Sequence, residues 1–506
     1  MVQRISSAHP QWKRQDGACP ACLQKALLQT MLESGDSSLH EAVQTLWPLD
    51  PLAAFSVLPT PLRMHADPRY SGRGVTMAFV DAGFYPHADL VQPHNRIRAW
   101  VDASREPLQE LRFGSGKTPQ WPGWDALHPS QWHGMMTSTS AAGNGWLSHG
   151  LYKGLAREAD LVLVQVRDDS GHISSESIVR ALRWLLENGP ELGVRIASLS
   201  VSGDPVEDLT GNPVDEAVQR LTDAGVTVIA AAGNDGQRQL IPPATAPAAL
   251  TIGGLDDHNT FNHEERAIWH SNYGLSDSGL PKPELVAPSI WVVAPVLPGT
   301  EVAIEAGKLF EARAAGNSDG NERIAELKLV TPHYQHVEGT SFAAPLVSSA
   351  VACMLEANPS LSPAQVRELL IAAAYPVPGA PQERQGAGAL DAGQAVALAL
   401  RALGGPLQGH RESPQISADG IFFLLLDRYA HQVQVVGSWD GWHAPGLRAE
   451  QVQPGVWQTQ RPPLEPGRYA YKFILDGARW LDDPSNPRKV HNGIGGFDSL
   501  LLVPGP

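Results

Sequence analysis

Short apolar runs at 75–80, 161–166, 196–201 and 226–231 have the length and β-branched content of buried strands. Interleaved with them, 177–188 and 213–224 carry apolar residues at helical spacing, and 363–374 and 388–403 read as closing helices. This alternation predicts an α/β domain with a parallel sheet flanked by helices, because a parallel connection needs a crossover to bring the chain back. Reactive side chains in such sheets collect at the carboxyl ends of strands, where Asp81 and Asn234 fall. Beyond a Gly-, Pro- and charge-rich linker at 404–414 the period drops to two. Alternating runs at 421–426, 431–436, 455–460, 468–475 and 499–503 predict a small all-β sandwich over 415–506. Ahead of the α/β domain, assigned to 61–403, residues 1–60 make a short leader. It has helical spacing over 21–46 and a Pro-rich end.

At 506 residues, 42% hydrophobic and 18% charged, the chain has a globular composition and room for two or three domains. A formal charge of −15 argues against nucleic acid as a partner, since phosphate binding draws on clustered Lys and Arg. No run approaches the roughly 18 apolar residues of a membrane span, so no membrane partner is expected. The N-terminus runs into polar residues without the apolar core of a signal peptide. Three cysteines do not make a disulfide framework. These features lead to the expectation of a cytoplasmic protein. Cys19 and Cys22 have metal-ligand spacing, with His9 and His40 nearby. A structural zinc site takes four ligands in tighter patterns, so a pair of thiols at a helix start is the plainer reading and no metal is assigned.

The chemistry concentrates in three segments. Ser341 follows Gly339-Thr340 and heads the apolar run 346–355, a helix N-terminus where free N–H groups favour developing negative charge. A nucleophile benefits from that placement, although serine is also a common N-cap. Asp81 ends an apolar strand, and His133-Gly134 opens a helix rich in small residues. Acid, base, nucleophile is one of the known chain orders of a Ser-His-Asp triad. Each residue has a plainer role available: Asp81 as a turn cap, and Asn234, before Asp235-Gly236, as a turn residue. His87 and His149 compete with His133, but neither begins a His-Gly helix. The run 316–320 fits the nucleophile-elbow spacing yet lacks a preceding apolar strand, and reads as a loop.

Taken in order with 153–166, 230–234 and 282–288, these segments resemble the subtilisin-like serine proteases (subtilases) from about 72 to 396. The resemblance implies a serine endopeptidase with Asp81, His133 and Ser341 catalytic and Asn234 in the oxyanion hole. Ser200, Val201 and Ser202, with Gly233, would then bind the peptide substrate along a strand edge. The family usually has glycine where Ser202 stands, so the wall of the primary pocket is altered. The stretch 293–336 is long for the family and reads as a lid or partner surface. No cofactor is required, and calcium is expected by family resemblance only. No inhibitory prodomain of the usual size is recognisable before Gly72, so the leader is expected to cover the cleft.

Residues 433–503 resemble a glycogen-binding, family 48-type carbohydrate-binding module. The likeness rests on 437–442 (GSWDGW), 466–473 (PGRYAYKF), 476–480 (DGARW) and 482–484 (DDP). It implies an immunoglobulin-like sandwich, a binding set of Trp442, Lys472 and Trp480, and an α-glucan such as glycogen as partner. Asp498 and Ser499 stand where that family often has an Asn pair. Trp439 and Trp457 also suit a core. The alternative reading of the whole chain is a catalytically inactive, glucan-associated binding or scaffold protein. An esterase using the same three residues is disfavoured by the peptide-binding edge.

Overall fold

The computed structural model describes residues 57–114, 130–148, 150–205, 211–260, 265–276 and 278–403. Within 413–504 it describes all but short stretches at 418, 428–429, 444, 454–455, 478, 484–485, 487–488 and 492–496. The expected leader, apart from 57–60, therefore lies outside the described residues. So do Cys19, Cys22, His9, His40, His149 and the linker at 404–412. The described residues fall into two compact units, one within Pro48–Ala395 and one within Val396–Pro506, and the division falls inside the helix Ala392–Leu403.

The first unit is built on one large sheet. Its strands in chain order are β1 (Thr76–Asp81), β2 (Ile97–Asp102), β3 (Gln109–Arg112), β4 (Asp160–Gln165), β5 (Val194–Leu199), β6 (Thr227–Ala231), β7 (Leu250–Asp256), β8 (Leu285–Pro288), β9 (Ala374–Tyr375) and β10 (Ala389–Leu390). They lie in the spatial order β9-β10-β8-β7-β6-β5-β1-β4-β2-β3. Along this order every pairing from β10 to β2 is parallel; the outermost strands β9 and β3 run antiparallel, as does the two-residue strand Ala267–Ile268, which pairs with β7 off this path. β1 lies between β4 and β5, where the order of connection reverses. At such a point the crossovers leave to opposite faces and open a crevice at the carboxyl ends.

Helices cover both faces. On one side α2 (Ser175–Leu192) and α3 (Pro213–Asp223) bury Ile178, Leu182, Leu185, Val214, Val218 and Leu221 against the sheet. The ends of these helices are legible locally. Ser174 and Asn212 accept from the first free amides, Pro213 takes the first turn, and Gly193 closes α2 in the left-handed region. On the other side α1 (Gln131–Ala142) packs beside α4 (Thr340–Ala357). Helix α4 is long and apolar enough to cross a membrane by length and composition alone, a feature the sequence reading passed over because Ser and Ala dilute the run. In the fold it is a core helix: of its 18 residues only Ser341 is not buried.

The segment 282–288 serves the sheet. Lys282 is fully buried, and its Nζ donates to Ala249 O at 2.7 Å and to Glu284 Oε1 at 2.5 Å. Glu284 also accepts from Arg367 Nη1 at 2.6 Å and from the Thr251 amide at 2.8 Å. Burial pulls the Lys282 ammonium down to about 8, with Glu284 opposing the shift. The long stretch 293–336 forms a strand Val292–Pro295, helices Glu301–Ala314 and Asn321–Glu326, and a hairpin of Leu329–Thr331 and Tyr334–Val337. It has its own small core of Val296, Ala306, Ile324 and Leu329.

The second unit, described by itself, is all-β. A four-stranded antiparallel sheet contains Gly420–Leu426 and Val456–Arg461, and a six-stranded one contains Val433–Gly437, Gly467–Leu475 and Phe497–Val503. Alternate residues of both, among them Ile421, Phe423, Val433, Val435, Tyr471 and Phe473, share one core. Trp457 is buried there and donates from Nε1 to Asp427 O at 3.0 Å, while Trp439 packs on Phe423 and Tyr471. Trp457 is a core residue, and Trp439 is half-buried against that core.

Candidate active site

β1 carries Asp81 to the carboxyl edge of the sheet, where it is 1% exposed. A bare buried carboxylate is costly, and this one is fully engaged. Oδ1 accepts from the Ala82 amide at 2.6 Å and meets His133 Nδ1 at 2.5 Å, and Oδ2 accepts from the Thr137 hydroxyl at 2.8 Å. His133 and Thr137 are one turn apart on α1, so one helix face supplies both donors. Gly134 lets the helix approach: a Cβ there would lie 2.2 Å from Gly83 O. With the Nδ1 proton turned to Asp81, Nε2 carries the lone pair, and it has no hydrogen-bond partner among the described residues. Burial of the imidazole works against protonation, but the charge of Asp81 and its hydrogen bond together outweigh it. The net shift is upward from the ordinary 6.5.

Ser341 opens α4 beside this imidazole, and the rings of His133 and Phe342 are 6.0 Å apart. Pro345 has no N–H to give the Ser341 carbonyl, the bond an ordinary helix would form there. Ser200, just past β5, fills the gap, its hydroxyl donating to Ser341 O at 2.8 Å. The turn is thereby held while the Ser341 hydroxyl has no partner among the described residues. Asn234 follows β6. Its Oδ1 accepts from the Thr340 amide at 2.9 Å and the Thr340 hydroxyl at 2.8 Å, and Thr340 Oγ1 accepts from the Gly233 amide at 3.0 Å. With Oδ1 so occupied, the Nδ2 hydrogens are the part of the amide left to serve a ligand. Buried Asn272 staples the same loop by accepting from the Asp235 and Gln237 amides at 2.9 and 3.1 Å.

A cavity of about 390 Å³ is lined by His133, Ser341, Asn234, Gly233 and Ser200, Val201 and Ser202. All the α/β-domain site residues singled out in the sequence thus meet at one place, with Asp81 directly behind His133. Residues the sequence reading missed also line it. Trp132 is 44% exposed, stands edge-on to His133 with ring centroids 5.1 Å apart, and is joined by Arg167 and Ile173. Thr137 and Thr340 were missed too. Thr137 lies four residues beyond His133 and Thr340 one before Ser341, the only local signals that mark them. His87 is elsewhere, buried and accepting the Asp89 amide.

For calcium the residues offer a poor fit. Among the described residues no three His, Cys, Asp or Glu side chains come together to hold a metal ion. Buried Asp89, Asp257, Glu284 and Glu356 already accept from Tyr334, Arg63, Lys282 and the 71–73 amides respectively.

In the second unit Trp442 and Trp480 come together, ring centroids 6.4 Å apart and tilted 43°, with Trp480 46% exposed. Lys472 lies on Gly467–Leu475 with Nζ 3.4 Å from Asp498 Oδ1. Asp483 is buried and accepts from the Tyr471 and Ser413 hydroxyls, a structural role.

Comparison with known proteins gives a family. The model of the subtilase family matches residues 72–388, more than half of the chain. Serine protease AprX of Bacillus subtilis (strain 168) is 27% identical over 308 residues, which is 59% of this chain and 61% of that protein. The chain therefore spans less than two thirds of that relative's length. Subtilisin Savinase of Lederbergia lenta is 29% identical over 301 residues, 59% of this chain and 83% of that protein. Among solved structures, Sphericase aligns at 23% identity with a TM-score of 0.44, covering 60% of this chain and 84% of that one. The chain belongs to the subtilase family.

Proposed function

We propose that this subtilase is an active serine endopeptidase acting on peptide or protein substrates, with Asp81, His133 and Ser341 as its catalytic residues. His133 Nε2 takes the Ser341 proton as the hydroxyl oxygen attacks the peptide carbonyl carbon. It then gives that proton to the departing amine, and water repeats the sequence to release the acyl group. Asp81 holds the imidazole in the tautomer this needs and favours its charged form. The oxyanion that forms beside Ser341 is received by the Asn234 amide and by the Ser341 N–H at the start of α4. A lost donor of this type costs about 10²- to 10³-fold in turnover. Ser200, Val201, Ser202 and Gly233 supply the edge along which an extended peptide pairs.

The observation that carries this reading is the 2.5 Å His133–Asp81 contact behind a cavity that His133, Ser341 and Asn234 line together. The experiment is hydrolysis of unfolded casein by the full chain and by Ser341→Ala. Loss of essentially all turnover in the variant, with its circular dichroism unchanged, supports the reading. Equal turnover by both would overturn the assignment of Ser341, and no turnover by either would overturn the reading in favour of an inactive scaffold.

A specific observation also favours an α-glucan ligand for the second unit, read as an immunoglobulin-like, glycogen-binding type of module. Trp442 and Trp480 form a neighbouring pair with Trp480 exposed, and sugar C–H faces stack on such rings. Lys472 would bond a hydroxyl from the adjoining strand.

A further inference from the structure

The lining of the cavity is chemically lopsided. Its lining residues include one arginine, Arg167, as well as His133, and no acidic residue. Arg167 follows β4, and its Nε donates to Gly171 O at 2.9 Å. An isolated bridge to Ile173 fixes the backbone at the same point. Asp168 and Asp169, next to it in sequence, and Asp204 are engaged elsewhere. Asp168 Oδ1 accepts from the Ser170 and His172 amides and from the Ser170 hydroxyl. Asp169 faces Arg105 at 3.6 Å, and Asp204 pairs with His172 at 3.2 Å and accepts from the Ser175 amide. Some arginines of the unit have carboxylates to hand, as Arg63 meets Asp257 at 2.8 Å, Arg98 meets Asp160 at 2.9 Å and Arg367 meets Glu284 at 2.6 Å, while Arg96 and Arg195 donate to backbone carbonyls. Arg167 has no ion-pair partner among the described residues. What sets Arg167 off is its place: in a chain of net charge −15, this half-buried cation without a carboxylate is among the residues that line the substrate cleft.

A guanidinium tethered through Nε keeps both Nη groups for a ligand. Its planar donor fork fits a carboxylate better than any neutral side chain. The low-dielectric wall strengthens such a pair, and once an extended peptide fills the cleft, water is displaced from it. We propose that Arg167 is a specificity-determining residue, making the cleft select polypeptide segments that carry a glutamate or aspartate within a few residues of the scissile bond. The inference rests on the endopeptidase reading above and names the substrate class for that site.

The test is a set of fluorogenic peptides on one scaffold, with Glu, Gln or Lys placed in turn at each position either side of the cleavage point. For the wild-type chain at low salt, kcat/KM for Glu is expected to exceed that for Gln about tenfold at one position. Lys should be worst there, and the preference should shrink as salt is raised. Arg167→Gln should bring the Glu:Gln ratio to about one, and Arg167→Glu should invert the order of Glu and Lys. These are ratios within one enzyme, so they do not depend on how much activity a variant keeps. If neither variant folds, the wild-type ratio and its salt dependence decide. Turnover with Glu and Gln alike at every position overturns this inference alone, as does a Glu preference that persists in Arg167→Gln. No turnover of any peptide overturns the endopeptidase reading and this inference with it.

Discussion

At the scale of single residues, the site depends on how few atoms are left uncommitted. Both Asp81 oxygens, Asn234 Oδ1 and the Ser341 carbonyl are held by protein donors, while His133 Nε2 and the Ser341 hydroxyl are not. That economy has a pH signature. A general base works neutral, and His133 titrates above the ordinary 6.5, so kcat/KM should rise with pH through an apparent pKa higher than that value. Stability runs the opposite way with pH. A histidine whose folded pKa is raised adds stability that is complete below its unfolded pKa and is lost as pH rises through the folded one. The check is kcat/KM against pH on a neutral peptide; an acid limb centred below the ordinary histidine value would contradict the assignment. Asp81, His133 and Ser341 were legible in the sequence because each sits at the end of an element that a short motif marks. Trp132, Arg167 and Asn272 were not. They reach the site through folding contacts, and no local spacing distinguishes an arginine facing a cleft from one on a solvated surface.

At the scale of elements, continuous apolar runs gave the central strands away, since strands buried on both faces need no alternation. β7 went unseen because Gly253 and Gly254 dilute its run. Side chains there would collide, a Cβ at 253 lying 2.8 Å from Pro283 Cγ and one at 254 lying 2.7 Å from Ser289 Oγ. The closing helix read over 388–403 begins later, at Ala392, because Ala389 first pairs with Val286 of β8. The long 293–336 stretch also proved ordered. Its Tyr334 donates to both Asp89 oxygens at 2.9 Å, anchoring the hairpin Leu329–Val337 to the short helix Ala88–Val91. Burial pushes the Asp89 carboxyl up to about 6, and the Tyr334 hydroxyl restrains that shift. Tyr334→Phe should therefore cost about 1–3 kcal/mol at neutral pH and less in acid, where Asp89 is protonated. Urea denaturation at both pH values checks this. An equal loss at both would mean that the hydroxyl does not act through the carboxylate.

At the scale of the whole molecule, a subtilase unit and an all-β unit share one chain. The first was legible as a parallel sheet flanked by helices, though not in its strand order. In the second, the strands were legible but not what the aromatic residues do, since core and ligand-stacking tryptophans look alike in sequence. In the fold Trp457 is enclosed, whereas Trp480 is open beside Trp442. Soluble glycogen in a native gel should retard the full-length chain, and Trp442→Ala should lose that retardation while its peptidase activity stays. Identical migration of both proteins, with and without glycogen, would leave the unit a packing role.

The most direct measurement of the central claim is mass spectrometry of the full-length chain after exposure to a fluorophosphonate. The expected result is a single adduct that maps to Ser341, slows markedly in His133→Ala and is absent in Ser341→Ala. A wild-type chain that stays unmodified, or an adduct that maps to another serine, would contradict it.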